Sequence, residues 1–291
     1  MKPSSSDRIL SILAHLSALG VGNLNFLPAI LWSENRRQSA WLRFQVLQAF
    51  GYQTLGYTLW SIGAVALLVA FYGVILLLAA FNPEAMQDEF TGILFGFGAL
   101  FGVLGYFFLY LLPSLIGAVL CALGKDFRYP LLGGRLARAL GYDPNTPEAA
   151  LNSDFEERFV AAMGHFAVIL PMWGLVAPAW FWINHKAHSR WLKVQSAQTT
   201  LYQLFVNIFY FTMIFGALLI GLVTGIVFTI NSGLSEWPVA VGMLTAFFAM
   251  MCGLLVIPLF HILGQWAGLQ VLLGRDFKYP LLGKWVERKL P

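Results

Sequence analysis

The sequence predicts an all-α polytopic membrane protein made of two parallel, pseudo-symmetric repeats. Each repeat is a broken or re-entrant hairpin, an interfacial amphipathic helix running into a span, and a second span. Three observations carry this prediction: scarcity of charge, a motif written twice, and the clustering of basic residues. Of 291 residues, 58% are hydrophobic and 11% charged, where soluble domains average about 25% charged. With a mean hydropathy of +0.71, the chain has too few charges to cover a water-facing surface. The net charge of +4 is scattered on an apolar chain and makes no phosphate-tracking surface, so nucleic acid is excluded as a partner. Cys121 and Cys252 lie in apolar runs without CxxC spacing, which indicates neither a disulfide framework nor a zinc site.

The repeat is read by self-comparison. Gly124-Lys-Asp-Phe-Arg-Tyr-Pro-Leu-Leu-Gly133 recurs as Gly274-Arg-Asp-Phe-Lys-Tyr-Pro-Leu-Leu-Gly283, with eight of ten positions identical and two Lys/Arg exchanges, at an offset of 150. At the same offset His15 meets His165, Pro28 meets Pro178, Trp32 meets Trp182, and Gln45, Gln48, Tyr52 and Gln53 meet Gln195, Gln198, Tyr202 and Gln203. One register held at both ends of the unit implies a tandem duplication. The expected domains are a first membrane repeat over 1–140, a cytoplasmic linker over 141–154 and a second membrane repeat over 155–291. The apolar stretch 9–32 follows Lys2 and Arg8 like a signal peptide, but its counterpart 159–182 lies mid-chain, so it is expected to be structural and retained.

Each repeat then has three apolar stretches. Those at 54–81, 92–123, 200–230 and 239–273 are long enough for about 20 residues per span. The first stretch of each repeat is interrupted, by Gly20-Val-Gly-Asn-Leu-Asn25 and Pro28 in one copy and by Pro171, Gly174 and Pro178 in the other. Such residues break a helix at its centre. The choice between a full span, which would invert the second copy, and a re-entrant hairpin, which keeps the copies parallel, rests on charge. The 18 basic residues fall in five groups around positions 2–8, 36–43, 125–158, 186–193 and 275–289, and none lies in the acidic loops 82–91 and 231–238. The parallel arrangement puts all 18 on one side, against 8 and 10 for the inverted one. Both termini and the linker are therefore expected in the cytoplasm, with the protein multi-pass in a bacterial inner membrane. The hairpins are expected to face the centre, because lipid offers free backbone groups no partner.

Three groups of residues are candidates for chemistry. Trp41, Gln45, Gln48 and Tyr52, with Trp191, Gln195, Gln198 and Tyr202, fall on one helix face. Their amides line a polar vestibule between the repeats, or serve as interhelical glue, the preferred reading. His15 and His165 are ionisable groups at membrane depth, proton relays or soft ligands by default. The preferred reading is a core histidine bonded to a backbone carbonyl freed by the hairpin break, since no carboxylate or cysteine stands within a turn. The repeated element Asp126, Arg128, Tyr129, Pro130 and Asp276, Lys278, Tyr279, Pro280 reads as a docking corner for lipid or a partner, with Tyr129, Phe127 and Leu131-Leu132 at headgroup depth and Arg128 on anionic lipid. Asp126 is expected to cap the following short helix or pair with Arg128. His185, His188 and His261 read as loop or packing residues, and Gly-xxx-Gly pairs such as Gly92/Gly96, Gly98/Gly102, Gly221/Gly225 and Gly264/Gly268 as weak packing signals. No metal site, cofactor or catalytic residue is expected.

These motifs carry a resemblance. Ala14-His-Leu-Ser-Ala18 opens a Gly/Asn/Pro-broken segment ending in Leu31-Trp32, followed by a charged turn, a Gln-bearing helix and Arg128-Tyr-Pro130. Together they resemble a family of bacterial membrane proteins of unknown function related to the small four-helix subunit of the chloroplast inner-envelope protein translocon. Those proteins usually hold one unit where this chain has two, and Gly164-His-Phe-Ala-Val168 keeps only the histidine of the opening motif. The resemblance implies a helical membrane protein that associates with itself or with other membrane proteins, and by analogy a protein-conducting role. The leading expectation is a non-enzymatic channel-like, translocation or complex-scaffolding subunit. The alternative is a small-molecule, ion or metal transporter with its site between the repeats. A lipid-directed enzyme ranks lowest, because the 14 carboxylates fall in loops or at helix ends.

Overall fold

The computed structural model describes residues 3–82, 84, 89–146, 149–170, 172–184, 189–230 and 237–290. Pro171, His185, His188, Lys2, Lys186 and most of the two acidic loops lie outside the described residues, as do the side chains of Met250 and Cys252. The chain is an all-α polytopic membrane protein, with four helical stretches long and apolar enough to cross a bilayer: Ala40–Phe81, Phe90–Ala122, Arg190–Val227 and Leu255–Leu272. It divides into two compact units, Met1–Met163 and Gly164–Pro291.

In the first unit, α1 (Ser5–Leu16) opens with a reciprocal cap. The Ser4 hydroxyl accepts from the Asp7 amide at 3.0 Å and the Asp7 carboxylate accepts from the Ser4 amide at 3.4 Å. That carboxylate also accepts from the Ser39 hydroxyl at 3.0 Å, and Ser39 caps α3 (Ala40–Gly51) through the Leu42 amide. One pair of side chains thus ties the starts of α1 and α3 together. The chain between them, a 3-10 turn at Ser17–Gly20 and α2 (Phe26–Glu34), must go out and come back. At 1.5 Å per residue neither the 12-residue α1 nor the 9-residue α2 covers about 30 Å of hydrocarbon. The reversal turns on Val21 and Gly22 at φ 51° and 80°.

The glutamine-bearing segment was expected to lie with one face in the interface. It instead runs straight through a π-helical turn, Tyr52–Gly56, into α4 (Tyr57–Phe81), and every residue of α3 except Arg43 is buried. Both of its faces are covered because α1, α2, α6 (Gly133–Leu140) and the last turns of α5 (Glu89–Ala122) surround it. Beyond Tyr57 the character changes. Leu59, Ile62, Val65, Val69 and Leu76 on α4, with Phe90, Phe97, Phe101 and Leu109 on α5, are exposed and apolar, the surface expected of helices in lipid. Helix α5 ends in a Schellman turn, with Gly124 at φ 69° and the Lys125 amide donating to the Leu120 carbonyl at 2.9 Å.

The second unit has the same order of elements. The latter part of α7 (Ser153–Phe166), a 3-10 turn at Ala167–Ile169 and α8 (Val176–Ile183) precede the continuous α9 (Arg190–Ile230), α10 (Trp237–Leu272) and the short α11 (Leu282–Lys289). Met172 occupies the place of Gly22 with φ 64°, and its amide is held by the Asn207 side chain at 3.0 Å. The division between units falls inside α7 because its first half packs on the first unit. Glu156 and Glu157 pair with Arg43 and Arg36 at 3.2 and 2.8 Å, and a β-carbon on Gly51 would run into the Phe159 ring.

Candidate functional site

Four segments of the first unit meet at His15: α1, α3, the last turns of α5 and the corner that follows it. His15, Gln45 and Gln48 are fully buried, and Tyr129 is 1% exposed. Unambiguous backbone groups fix every proton in the cluster. The Tyr129 amide donates to Gln48 Oε1 at 3.2 Å, so Gln48 Nε2 is a donor, to the Phe127 carbonyl at 2.7 Å and to Gln45 Oε1 at 2.6 Å. Gln45 Nε2 in turn donates to Asp126 Oδ1 at 3.1 Å and to the Phe127 carbonyl at 3.2 Å. Gln45 Oε1 is therefore an acceptor, and His15 Nε2, 3.2 Å away, must carry the hydrogen. That leaves Nδ1 as an acceptor for the Tyr129 hydroxyl at 2.9 Å, whose oxygen receives the Ser114 hydroxyl at 3.0 Å. Both ring nitrogens are engaged with the imidazole neutral. Burial accordingly drives the His15 pKa down to about 4, a shift that the bond to Gln45 only partly opposes.

The second unit repeats this arrangement nearly atom for atom. His165 Nδ1 accepts from the Tyr279 hydroxyl at 3.0 Å and Nε2 donates to Gln195 Oε1 at 3.1 Å. Gln195 reaches Asp276 and the Phe277 carbonyl at 2.8 and 3.1 Å, and Gln198 holds the Tyr279 amide at 3.2 Å. Burial lowers the His165 pKa to about 4 as well. In both units a tyrosine at the base of the glutamine face stacks on the corner tyrosine, Tyr52 on Tyr129 and Tyr202 on Tyr279, each with centroids 4.0 Å apart. Small differences are confined to the rim. Ser114 and Cys121, whose thiol lies 3.5 Å from Gln45 Oε1, are replaced in the second unit by Gly264 and Val271. There Thr199 enters instead, its hydroxyl donating to the Gln195 carbonyl at 2.7 Å while its oxygen faces the His165 ring.

The predicted binding residues His15, Gln45, Gln48 and Tyr52 are thus brought together, as are His165, Gln195, Gln198 and Tyr202, each set inside its own unit. The carbonyls at the hairpin break go elsewhere than expected: Gln53 Nε2 takes the Ala14 carbonyl and Gln203 Nε2 the Gly164 carbonyl, both at 2.7 Å. The corner residues separate. Asp126 does not cap α6; it accepts from Gln45, from Tyr142 at 3.0 Å and from exposed Arg128 at 3.2 Å. Lys278 pairs with Asp276 at 3.6 Å and with Glu287 at 2.8 Å. Tyr129 and Tyr279, expected at headgroup depth, are buried against the histidines and offer no surface to lipid, while Pro130 and Pro280 are exposed. The glutamines' recurrence signalled Gln53 and Gln203. Ser114, Cys121 and Tyr142 have no polar counterpart 150 residues on, so nothing in the sequence marked them.

As chemistry the cluster is a lock. Its one imidazole lone pair points at a hydroxyl, its amides are saturated by acceptors, and the Asp126 carboxylate is shared by three donors. Among the described residues no three His, Cys, Asp or Glu side chains converge as for a metal ion. Gly-xxx-Gly pairs behave unequally: Gly264 and Gly268 sit against Val168 and Phe166, whereas a β-carbon built on Gly92, Gly96 or Gly221 would meet open space. A cleft of about 440 Å³ opens at the capped ends of α1 and α3, lined by Asp7, Ser39, Arg43 and Tyr142 among others, and neither His15 nor Gln45 reaches it.

Compared with known proteins, residues 6–136 match the family model of the magnetosome magnetite crystal formation proteins, MamF/MmsF, a family of bacterial membrane proteins. The matched name differs from the translocon-related family that the motifs resemble. No curated protein and no solved structure matches the chain.

Proposed function

We propose that this chain is a non-enzymatic scaffold of a membrane assembly, two rigid heads on apolar helices that hold other membrane proteins, or further copies of itself, in fixed places. The observation that carries the proposal is the saturated His–Tyr–Gln cluster, present in both units with the same bonds. A site that binds and releases a substrate needs groups free to change partners, and here the buried ionisable groups are spent on fixing one backbone corner. The match over residues 6–136 to a family named for magnetite crystal formation supports a setting in which a membrane surface is organised.

The same reading takes the two units as copies of one ancestral unit, with boundaries near 140 and 155. It places them parallel in a bacterial inner membrane, with both termini and the linker in the cytoplasm. The repeated hydrogen bonds at an offset of 150 support the first part and the placement of 18 basic residues the second.

Native complexes extracted in mild detergent, cross-linked and weighed test the function. Stoichiometric membrane partners or a defined homo-oligomer are expected. A solitary monomer that conducts ions or solutes in proteoliposomes, and loses that flux in a His15→Ala/His165→Ala double variant, would overturn it in favour of a transporter. Orientation is tested separately, by labelling single cysteines at Glu84 and Asn145 in intact cells, where only the first is expected to react.

A further inference from the structure

The corner that closes on each histidine is strained at one residue. After Tyr129 and Pro130, Leu131 has φ 62° and the Leu132 amide donates back to the Pro130 carbonyl at 2.7 Å. In the second unit Leu281 has φ 65° and ψ −51°, and the Leu282 amide donates to the Pro280 carbonyl at 2.7 Å. This is the positive-φ γ-turn, the rare and strained one, built around a branched residue where glycine would fit without cost. Strain of this kind persists only where the surroundings impose it, and it clusters at sites that bind or switch. Here the side chain points outward: Leu131 is 84% exposed and Leu281 90%.

What surrounds the leucines identifies what they meet. Leu131 stands in a shallow open depression with Arg128, Gly134, Arg135 and Arg138. Leu281 has exposed Lys278, Lys284, Trp285 and Arg288 on the same short stretch of chain. The corner also descends along α3. Asp126 faces Gln45, Tyr129 stacks on Tyr52, and Leu132 reaches Gly51, so Leu131 lies beside the end of α3, about two turns before the helix becomes exposed and apolar at Leu59. An apolar tip flanked by cationic side chains, beside the helix that runs on into a span, matches the chemistry of an anionic bilayer interface.

We propose that Leu131 and Leu281 insert between the headgroups of an anionic membrane and that the neighbouring Arg135 and Arg138, or Lys284 and Arg288, hold the lipid phosphates, so that each head is pinned to the bilayer beside its own span. The inference is independent of the scaffold reading and rests on the membrane fold alone.

The full chain, with Cys121→Ala and Cys252→Ala, carries a nitroxide on Leu131→Cys, Leu281→Cys or, as a water-side control, Gly134→Cys, in vesicles of phosphatidylcholine with one quarter phosphatidylglycerol. Collisions with oxygen are expected to exceed those with an aqueous nickel complex at 131 and 281 and to fall below them at 134. Labels at Pro130 and Pro280 must report the same side as their neighbours, which covers a leucine variant that does not fold. Labels at 131 and 281 that meet the nickel complex as readily as 134, or that are shielded from both probes by protein, would overturn the proposal. So would an unchanged depth in vesicles of phosphatidylcholine alone.

Discussion

A buried histidine with both nitrogens committed makes a pH-dependent head. His15 and His165 in the unfolded chain take up a proton near 6.5, but in the folded head only near 4, because burial penalises the charged ring. Between those values the unfolded state binds more protons, so stability is full above about 6.5 and falls as the pH drops towards 4. A shift of this size is worth roughly 3 kcal/mol for each histidine. Thermal melts in detergent are expected to drop steeply between pH 6.5 and 4.5, and a His15→Gln/His165→Gln variant, with no ring to protonate, is expected to lose that slope while starting from a lower value. An equally steep fall in the variant would place the acid sensitivity elsewhere. The sequence showed where both histidines stand but not what they touch. His15 lies 30 residues from Gln45 and 114 from Tyr129, and only the return of the corner along α3 brings the three together.

At the scale of elements, the helices were legible and their surroundings were not. The periodicity of Trp41, Gln45, Gln48 and Tyr52 gives a helix face, and reading its amides as interhelical glue leaves open what they bond to. The partner is main chain, the Phe127 carbonyl and the Tyr129 amide, which no composition reveals. Tyr129 misleads for the same reason. Proline after it pushes the tyrosine out of helical geometry, but the tyrosine ring is drawn inward by His15 and Ser114, and of the residues expected at headgroup depth Leu131 is the one left exposed. Helix crossing shows how finely the two copies are adjusted. A β-carbon on Gly117 would stand 2.7 Å from the Phe127 ring and 3.1 Å from His15 Nδ1, yet the matching residue is Ala267, fully buried. The difference is in the aromatic: the His15 and Phe127 centroids are 5.5 Å apart, those of His165 and Phe277 6.3 Å. Gly117→Ala is therefore expected to cost about 1–3 kcal/mol as overpacking, seen as a lower melting temperature in detergent. Ala267→Gly is expected to cost about 1 kcal/mol through helix propensity alone. Equal effects at the two positions would mean that the rings move freely.

For the whole molecule the decisive residues lie in the first half of α7, where Glu156 and Glu157 pair with Arg43 and Arg36 although they follow the stretch that reads as a linker. The offset of 150 identifies repeats in sequence, but contact places residues up to Met163 with the first unit, where Glu156 and Glu157 meet the half-buried Arg43 and Arg36. Chain continuity across the exposed residues Asp143 and Asn145 is then not what holds α7 to the first unit. A protease site placed after Asn145 is expected to leave both fragments together through gel filtration in detergent. Arg43→Ala removes the cation facing Glu156, whose side chain is fully buried, and stranding a buried carboxylate costs about 3–5 kcal/mol, so the cut Arg43→Ala protein is expected to fall apart at pH 7. Burial already raises the Glu156 pKa against the pull of Arg43 and Arg36. With Arg43 gone the carboxyl regains its fit by taking up a proton, so the cut variant is expected to hold together better at pH 5.5 than at pH 7. That slope is opposite in sign to the histidines', which lets one pH series separate the two effects. Fragments of the cut, otherwise unaltered chain that separate at neutral pH would show that the ion pairs in α7 do not bind it to the first unit.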